Sequence, residues 1–197
     1  ECRTQTEYIK KVEKVKNEFL IMIKGNQCPN IIQTYGVVEA RDNLLLVMEY
    51  APNGSLREYL SQEDTPLSKD VVYSLISQIA LAMKYLYTHG VEHRDLKADN
   101  VLLDDDLNAK LCDFGISKGY DFATRTKKPT MAGDVGGTTQ WKAPEEFKNM
   151  PFTEKCDVWS FGVTMWEIMT RKVPWEGLHD FAIMGNLFQN IHLPYDS

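Results

Sequence analysis

Residues 154–170 are apolar on more than one side. Val158, Trp159, Phe161, Val163, Met165, Trp166, Ile168 and Met169 leave no polar face wide enough for a surface helix. Such a segment predicts a helix central to a core, with the rest of the chain packed around it. A second helix is predicted over about 68–89, where Val72, Leu75, Ile76, Ile79, Met83 and Leu86 share one face and Gly90 supplies a stop. A third is predicted over 8–24 from Val12, Val15, Phe19, Met22 and Ile23, with Glu18 at the edge of that face and Lys14 one turn back as a surface partner. Two runs rich in apolar and β-branched residues, 30–39 and 44–50, joined at Arg41, Asp42 and Asn43, predict an antiparallel hairpin.

The stretches between these elements are also legible. Pro52, Asn53 and Gly54 form a break, after which Ser55 and Glu58 have capping-box spacing for a short helix. Short strands over 100–103 and 109–112 flank Asp104, Asp105 and Asp106. That acidic turn resembles a calcium loop only superficially, because Ala109 stands where the loop needs glycine and Gly115 where it needs glutamate. Residues 116–140 have no periodicity and predict a long functional loop. No repeat or linker divides the chain.

Composition narrows the function classes. With 22 basic and 28 acidic residues the net charge is -6, which disfavours binding to a nucleic-acid backbone. No apolar run reaches the roughly 18 residues of a membrane span, so no membrane contact is expected from this segment. Cys2, Cys28, Cys112 and Cys156 match no zinc spacing and are too sparse for a disulfide framework, which points to a reducing, cytoplasmic setting.

The chemistry is concentrated after the 68–89 helix, in the run His93, Arg94, Asp95, Leu96, Lys97, Ala98, Asp99, Asn100, followed by Asp113, Phe114 and Gly115. These residue types suit phosphoryl transfer. A nucleoside triphosphate brings dense negative charge and a divalent cation, and Asn100 and Asp113 offer an amide oxygen and a carboxylate to that cation. Asp95 would orient an attacking hydroxyl and take its proton, and Lys97 would offset charge on the group in flight.

In order, spacing and context these motifs resemble the eukaryotic protein kinase family, in its tyrosine-kinase-like branch. Leu46 to Tyr50 is similar to the hinge, Ala143, Pro144 and Glu145 to the end of the activation segment, and Asp157 to Gly162 to the start of the central helix. The resemblance implies an α+β, two-lobed kinase-like fold, incomplete at both ends. Residues 1–51 would be part of the small lobe, with one helix, two strands and the hinge. Residues 52–197 would be part of a mainly helical large lobe lacking its last helices.

The resemblance also implies roles: Asp95 as catalytic base, Asn100 and Asp113 as Mg2+ ligands, and Met48 as gatekeeper. The backbone of Glu49 and Ala51 would bond the adenine of ATP, Leu102 would lie beneath the ring, and Glu18 would pair with the phosphate-gripping lysine. Met22, Thr34, His93 and Phe114 would form the internal stack, with Thr34 a departure from the usual aliphatic residue. Arg94 would receive an activation-segment phosphate, with Tyr120, Thr124, Thr126 and Thr130 as acceptors. Lys97 with Thr138 resembles the serine/threonine pattern, whereas Trp141 and the 157–169 segment have a tyrosine-kinase flavour.

Serine or threonine of protein substrates is the expected acceptor, with dual specificity open. The chain has no glycine-rich loop, the strand lysine is expected before Glu1, and Glu145 expects an arginine from a later helix. The fragment alone is therefore expected to be inactive and to depend on the rest of a kinase domain, with flanking domains possible. The competing readings are a pseudokinase or scaffold module, and a small-molecule phosphotransferase, which would carry aspartate-x-aspartate in place of Asp113-Phe114-Gly115.

Overall fold

A computed structural model of the chain describes residues 12, 15, 19–40, 43–62, 67–114, 118–119, 138–148, 150 and 152–194. Helix α1 covers 19–25, with Val12 and Val15 also helical. Met22 is buried as expected, but Ile21 is buried in place of Ile23, which is 44% exposed. The inward face is set by Gly25, which is pressed so closely on Ile31 that a Cβ would lie 2.7 Å from its Cγ2. Ile21, one turn before that contact, is turned inward with it. The Tyr85 hydroxyl then anchors the helix end by donating to the Lys24 carbonyl at 2.8 Å.

Strands β1 (Thr34–Ala40) and β2 (Asn43–Met48) pair antiparallel, with Val37 opposite Leu46 and a register irregularity between Thr34 and Gly36. The first strand starts four residues later than the apolar run suggested. Ile31 and Ile32 are adjacent and both buried, which a strand of period two cannot arrange on one sheet face. They join a different element instead. Ile32 donates to the Leu111 carbonyl at 2.9 Å and Leu111 to the Asn30 carbonyl at 2.8 Å, which ties this segment to the chain at Leu111.

After β2, α2 (Leu56–Ser61) is opened by a full capping box: the Glu58 N–H donates to Ser55 Oγ at 3.2 Å and the Ser55 N–H to Glu58 Oε2 at 2.8 Å. Helix α3 (Lys69–Thr88) is capped by Ser68 and buries Leu75, Ile79, Ala82 and Leu86, a stripe at helical spacing. Short strands follow: β3 (Val91–Glu92), β4 (Val101–Leu103), β5 (Ala109–Leu111) and β6 (Lys118–Gly119), paired antiparallel as β3 with β6 and β4 with β5. In the β4–β5 turn the Asp104 carboxylate accepts from the N–H groups of Asp106 and Asn108, at 3.0 and 2.8 Å, and so closes the turn itself. The arrangement is the mixed α+β one that the resemblance implied, and one buried core runs from Met22 and Ile31 through Leu56, Ile79, Leu103 and Phe114 to Ile168.

Helix α4 (Glu154–Thr170) corrects the expectation of a helix wrapped by apolar packing. Val158 and Met169 are 59% and 56% exposed, and a groove of about 360 Å³ opens between α3 and α4 beside Met83, Tyr87, Val158 and Phe161. Its buried face includes a polar stripe, Asp157, Ser160, Thr164 and Glu167, with Val163, Trp166 and Ile168 alongside. The hydroxyls of Ser160 and Thr164 are satisfied within the helix, at Cys156 and Ser160 carbonyls. The two carboxylates reach out of it. A further helix, α5 (Asp180–Phe188), buries Ile183 and Leu187 and had no counterpart in the sequence reading.

Two arginines lock α2 to the end of α4. Arg57 donates to the Arg171 and Lys172 carbonyls at 2.9 and 3.1 Å, and Arg171 donates to the Leu60 and Tyr59 carbonyls at 3.0 and 3.2 Å. Each cation thus donates to carbonyls at or just past the C-terminal end of the other helix. Among the described residues no helix is long and apolar enough to cross a membrane.

Candidate active site

Gly90, at φ 67°, ends α3 and turns the chain into β3. The loop that follows is fixed from beneath by buried Leu96 and Ala98 and from behind by Asp157. The Asp157 carboxylate accepts from the His93 and Arg94 N–H groups, both at 2.8 Å. Burial pushes the Asp157 carboxyl up, against the pull of His93 and those two N–H groups. Arg94 needs this hold. Its φ of 72° lies in the left-handed region, where a non-glycine residue costs on the order of 1–3 kcal/mol.

The turn at Arg94 delivers Asp95 into a polar cluster. Asp95 Oδ1 accepts from the Thr138 N–H at 3.0 Å and the Thr138 hydroxyl at 2.9 Å. Lys97 Nζ lies 3.2 Å from Asp95 Oδ2 and donates to Thr138 Oγ1 at 2.6 Å. Burial works to raise the Asp95 carboxyl, but the Lys97 charge and the bonds from Thr138 outweigh it, and the group sits below the usual carboxylate range. An ionised acceptor beside a cation is what proton removal from an alcohol requires.

Asn100 is tied to the same residue. Its Nδ2 donates to the Asp95 carbonyl at 2.7 Å and to Oδ2 at 3.2 Å, which orients the amide and leaves Oδ1 outside those bonds. The Cys112 N–H donates to the Asn100 carbonyl at 2.9 Å, so the residue preceding Asp113 is fastened to Asn100. Asp113 follows at φ 59° and is exposed. An amide oxygen and a carboxylate carried on adjoining backbone are hard oxygen donors of the kind Mg2+ takes.

Behind this cluster Met22, Thr34, His93 and Phe114 are all buried, and the His93 and Phe114 rings lie 5.2 Å apart. Burial lowers the His93 imidazole, against the charges of Asp157, Asp95 and Asp113 and the Cys112 carbonyl. Thr34 is 3% exposed, its backbone is held at both ends by Asn26, and its hydroxyl has no hydrogen-bond partner. A buried unpaired hydroxyl costs about 1–3 kcal/mol. Thr34→Val, which keeps the shape and removes the hydroxyl, should therefore raise unfolding free energy by about 1–2 kcal/mol in a denaturant titration; a loss of stability would show that the hydroxyl is paired in solution.

After β2, the Glu49 N–H donates to the Gln33 carbonyl at 2.7 Å, and the Ala51 carbonyl accepts from Gly54 at 3.3 Å. Those bonds leave the Glu49 carbonyl and the Ala51 N–H, one acceptor and one donor. The Glu49 side chain is occupied separately, with the Gln33 N–H at 3.1 Å and Lys110 at 3.0 Å. Met48 closes β2 just before this segment, and Leu102 lies on β4 with Ser55 bridged to it. Glu18, Gly115 and the proposed phosphate acceptors Tyr120, Thr124, Thr126 and Thr130 lie outside the described residues.

Two residues that hold the site were missed by motif reading: Asp157, read only as the start of a helix motif, and Glu167. Glu167 is 0% exposed. Its Oε2 accepts from the Ala98 N–H at 3.1 Å and the Trp141 indole at 2.7 Å, while Oε1 has only the Arg57 guanidinium, at 3.6 Å. Their spacing with Ser160 and Thr164, at i, i+3, i+7 and i+10, was the available signal for an inward polar face.

Burial pushes the Glu167 carboxyl up to about 7, against the bonds from Trp141 and Ala98. An acid whose pKa is raised on folding binds its proton more tightly in the native state, so its contribution to stability falls as pH rises from about 4.5 to about 7. Comparing Glu167→Gln with wild type in thermal melts should show a relative loss of roughly 3 kcal/mol in wild type across that window. Parallel pH profiles would mean that Glu167 titrates at its ordinary value.

Residues 3–196 match the family model of protein tyrosine and serine/threonine kinases. The chain is 36% identical over 190 residues, 96% of its length, to mitogen-activated protein kinase kinase kinase 13-A of Xenopus laevis. It is 38% identical over 174 residues, 87% of its length, to a probable LIM domain-containing serine/threonine-protein kinase of Dictyostelium discoideum. To mitogen-activated protein kinase kinase kinase 12 of Rattus norvegicus it is 35% identical over 190 residues, 96% of its length. The matched regions span 19%, 26% and 21% of those three proteins, respectively.

Proposed function

The chain belongs to the protein tyrosine and serine/threonine kinase family, and from that premise we propose that it carries the catalytic part of a protein kinase that moves the γ-phosphate of ATP to serine or threonine. The observation that carries the proposal is the Asp95, Lys97 and Thr138 cluster with Asn100 bonded into it.

In this reading residues 1–51 belong to the small lobe and 52–197 to the large one, with the nucleotide between them. The Glu49 carbonyl would accept from the adenine amino group and the Ala51 N–H would donate to the neighbouring ring nitrogen. Met48 would border the ring and Leu102 would lie under it. Glu18 would pair with a phosphate-gripping lysine. Asn100 and Asp113 would hold Mg2+, which when bound neutralises phosphate charge.

The substrate alcohol would give its proton to Asp95 as its oxygen bonds to the γ-phosphorus and the bond to the β-phosphate oxygen breaks, releasing ADP. Lys97 would offset the charge on the transferring oxygens. Thr138, donating to Asp95 by both N–H and hydroxyl, would fix the direction in which the carboxylate faces the alcohol. Lys97 with Thr138 resembles the serine/threonine pattern, and the Dictyostelium discoideum relative is named a serine/threonine-protein kinase, which together support a serine or threonine acceptor. The use of ATP and the thiol form of Cys28 and Cys156 are compatible with action in the cytoplasm.

The test is to incubate the full-length protein with labelled ATP, Mg2+ and a generic basic protein, and to separate the phosphoamino acids. Label on serine and threonine supports the reading. Label on tyrosine alone would overturn the specificity, and no transfer at all would favour a scaffold.

A further inference from the structure

The resemblance assigns Arg94 to an activation-segment phosphate, yet its guanidinium already has an acid. Nη2 donates to Glu92 Oε2 at 2.7 Å, and the two side chains are only 7% and 12% exposed. The guanidinium also lies 4.7 Å from the centre of the Phe152 ring. Glu92 is well placed for this. It ends β3, paired through the backbone with β6, two residues before the turn that carries Arg94. The left-handed turn at Arg94, clamped by Asp157, fixes the second partner.

A guanidinium cannot shed its proton, so at this depth it needs a counter-charge wherever the loop is ordered. Among the described residues, Glu146 and Asp157 are engaged elsewhere. Glu146 accepts from the Ala143 N–H at 2.8 Å, and Asp157 from the His93 and Arg94 backbone. Burial raises the Glu146 carboxyl, which weakens it as an anion. Among the described residues, Glu92 bonds the guanidinium directly.

We propose that Glu92 is the resident counter-ion of Arg94, a positioning residue that holds Asp95 in its working place without an added phosphate. The inference rests on the kinase reading for its effect on turnover. It makes the catalytic loop competent in the unphosphorylated protein, and it assigns regulation to something other than charge supplied to Arg94.

The experiment uses full-length protein treated with a broad phosphatase and verified phosphate-free by mass spectrometry. Wild type should keep its phosphate transfer within about twofold of the untreated protein. Glu92→Gln, which keeps the shape and removes the charge, should lose about tenfold or more in kcat with an unchanged KM for ATP. Glu92→Asp should recover most of the loss. Adding Arg94→Gln to Glu92→Gln should cost little more, because the mismatch is already made.

Silencing of wild type by the phosphatase, or full activity of treated Glu92→Gln, would overturn the proposal. If no form transfers phosphate, the kinase reading fails, and amide exchange over residues 93–96 decides this one separately. Exchange about tenfold faster in Glu92→Gln than in wild type, with little further increase in the double variant, supports the pair; equal rates in wild type and Glu92→Gln overturn it.

Discussion

A full-length protein carrying Asp95→Asn should transfer phosphate about a thousandfold more slowly than wild type, with an unchanged KM for ATP and stability within about 1 kcal/mol. Asparagine keeps the size of the side chain and can still accept from the Thr138 hydroxyl at Oδ1, now 2.9 Å away. It cannot take a proton from an alcohol. Because Asp95 bonds Thr138, Lys97 and Asn100 rather than the hinge, nucleotide binding should be preserved. Radiometric transfer assays and nucleotide titrations on the same preparation check both halves. Activity within a few-fold of wild type would remove the base from the proposed reaction.

The largest stability effect is expected at Asp157, outside any set of groups that would touch substrate. Asp157→Ala leaves the buried His93 N–H, the Arg94 N–H and the left-handed turn without their acceptor. At about 1–3 kcal/mol for each unsatisfied group, the loss is about 2–6 kcal/mol, a large part of the 5–15 kcal/mol typical of a domain. Asp157→Asn should lose less, since one oxygen remains to accept one of the two bonds. Urea denaturation of both variants tests the order; an Asp157→Ala protein as stable as wild type would show that the loop is held from elsewhere. Where the alanine variant does not fold at all, the asparagine variant carries the comparison.

The Asp95 to Asn100 run and Asp113 could be picked out in the chain because the groups involved are near neighbours along it. A loop of eight residues, entered from a helix that Gly90 stops, has few ways to present its polar side chains, and residue type alone marks which can bind a cation or accept a proton. The ends of α3 were legible for a similar reason: Ser68, Gly90 and an apolar stripe at helical period are local signals. The capping box at Ser55 and Glu58 is local as well.

The sequence of residues 154–170 predicts a helix central to the core, and the structure buries one face of it while leaving Val158 and Met169 exposed. Counting apolar residues cannot tell which side of such a segment turns inward, because Val158 and Met169 are as hydrophobic exposed as buried. Asp157 and Glu167 are buried because they have backbone N–H groups to satisfy more than sixty residues away, at His93, Arg94 and Ala98. The Arg57 and Arg171 clasp is likewise invisible in the chain, since each arginine answers to carbonyls more than a hundred residues distant.

What the amino-acid sequence determined alone is therefore the groups on offer: the Asp95 carboxylate, the Lys97 amine, the Asn100 amide and the Asp113 carboxylate, and the helices and turns that carry them, all set by interactions within a few residues. What only the tertiary structure decided is which buried charge meets which partner. That Asp157 holds the loop, that Glu167 joins Ala98 to Trp141, and that Arg94 is matched by Glu92 depend on desolvation and hydrogen-bond geometry. Those energies exist only once the chain has closed around the groups and excluded water.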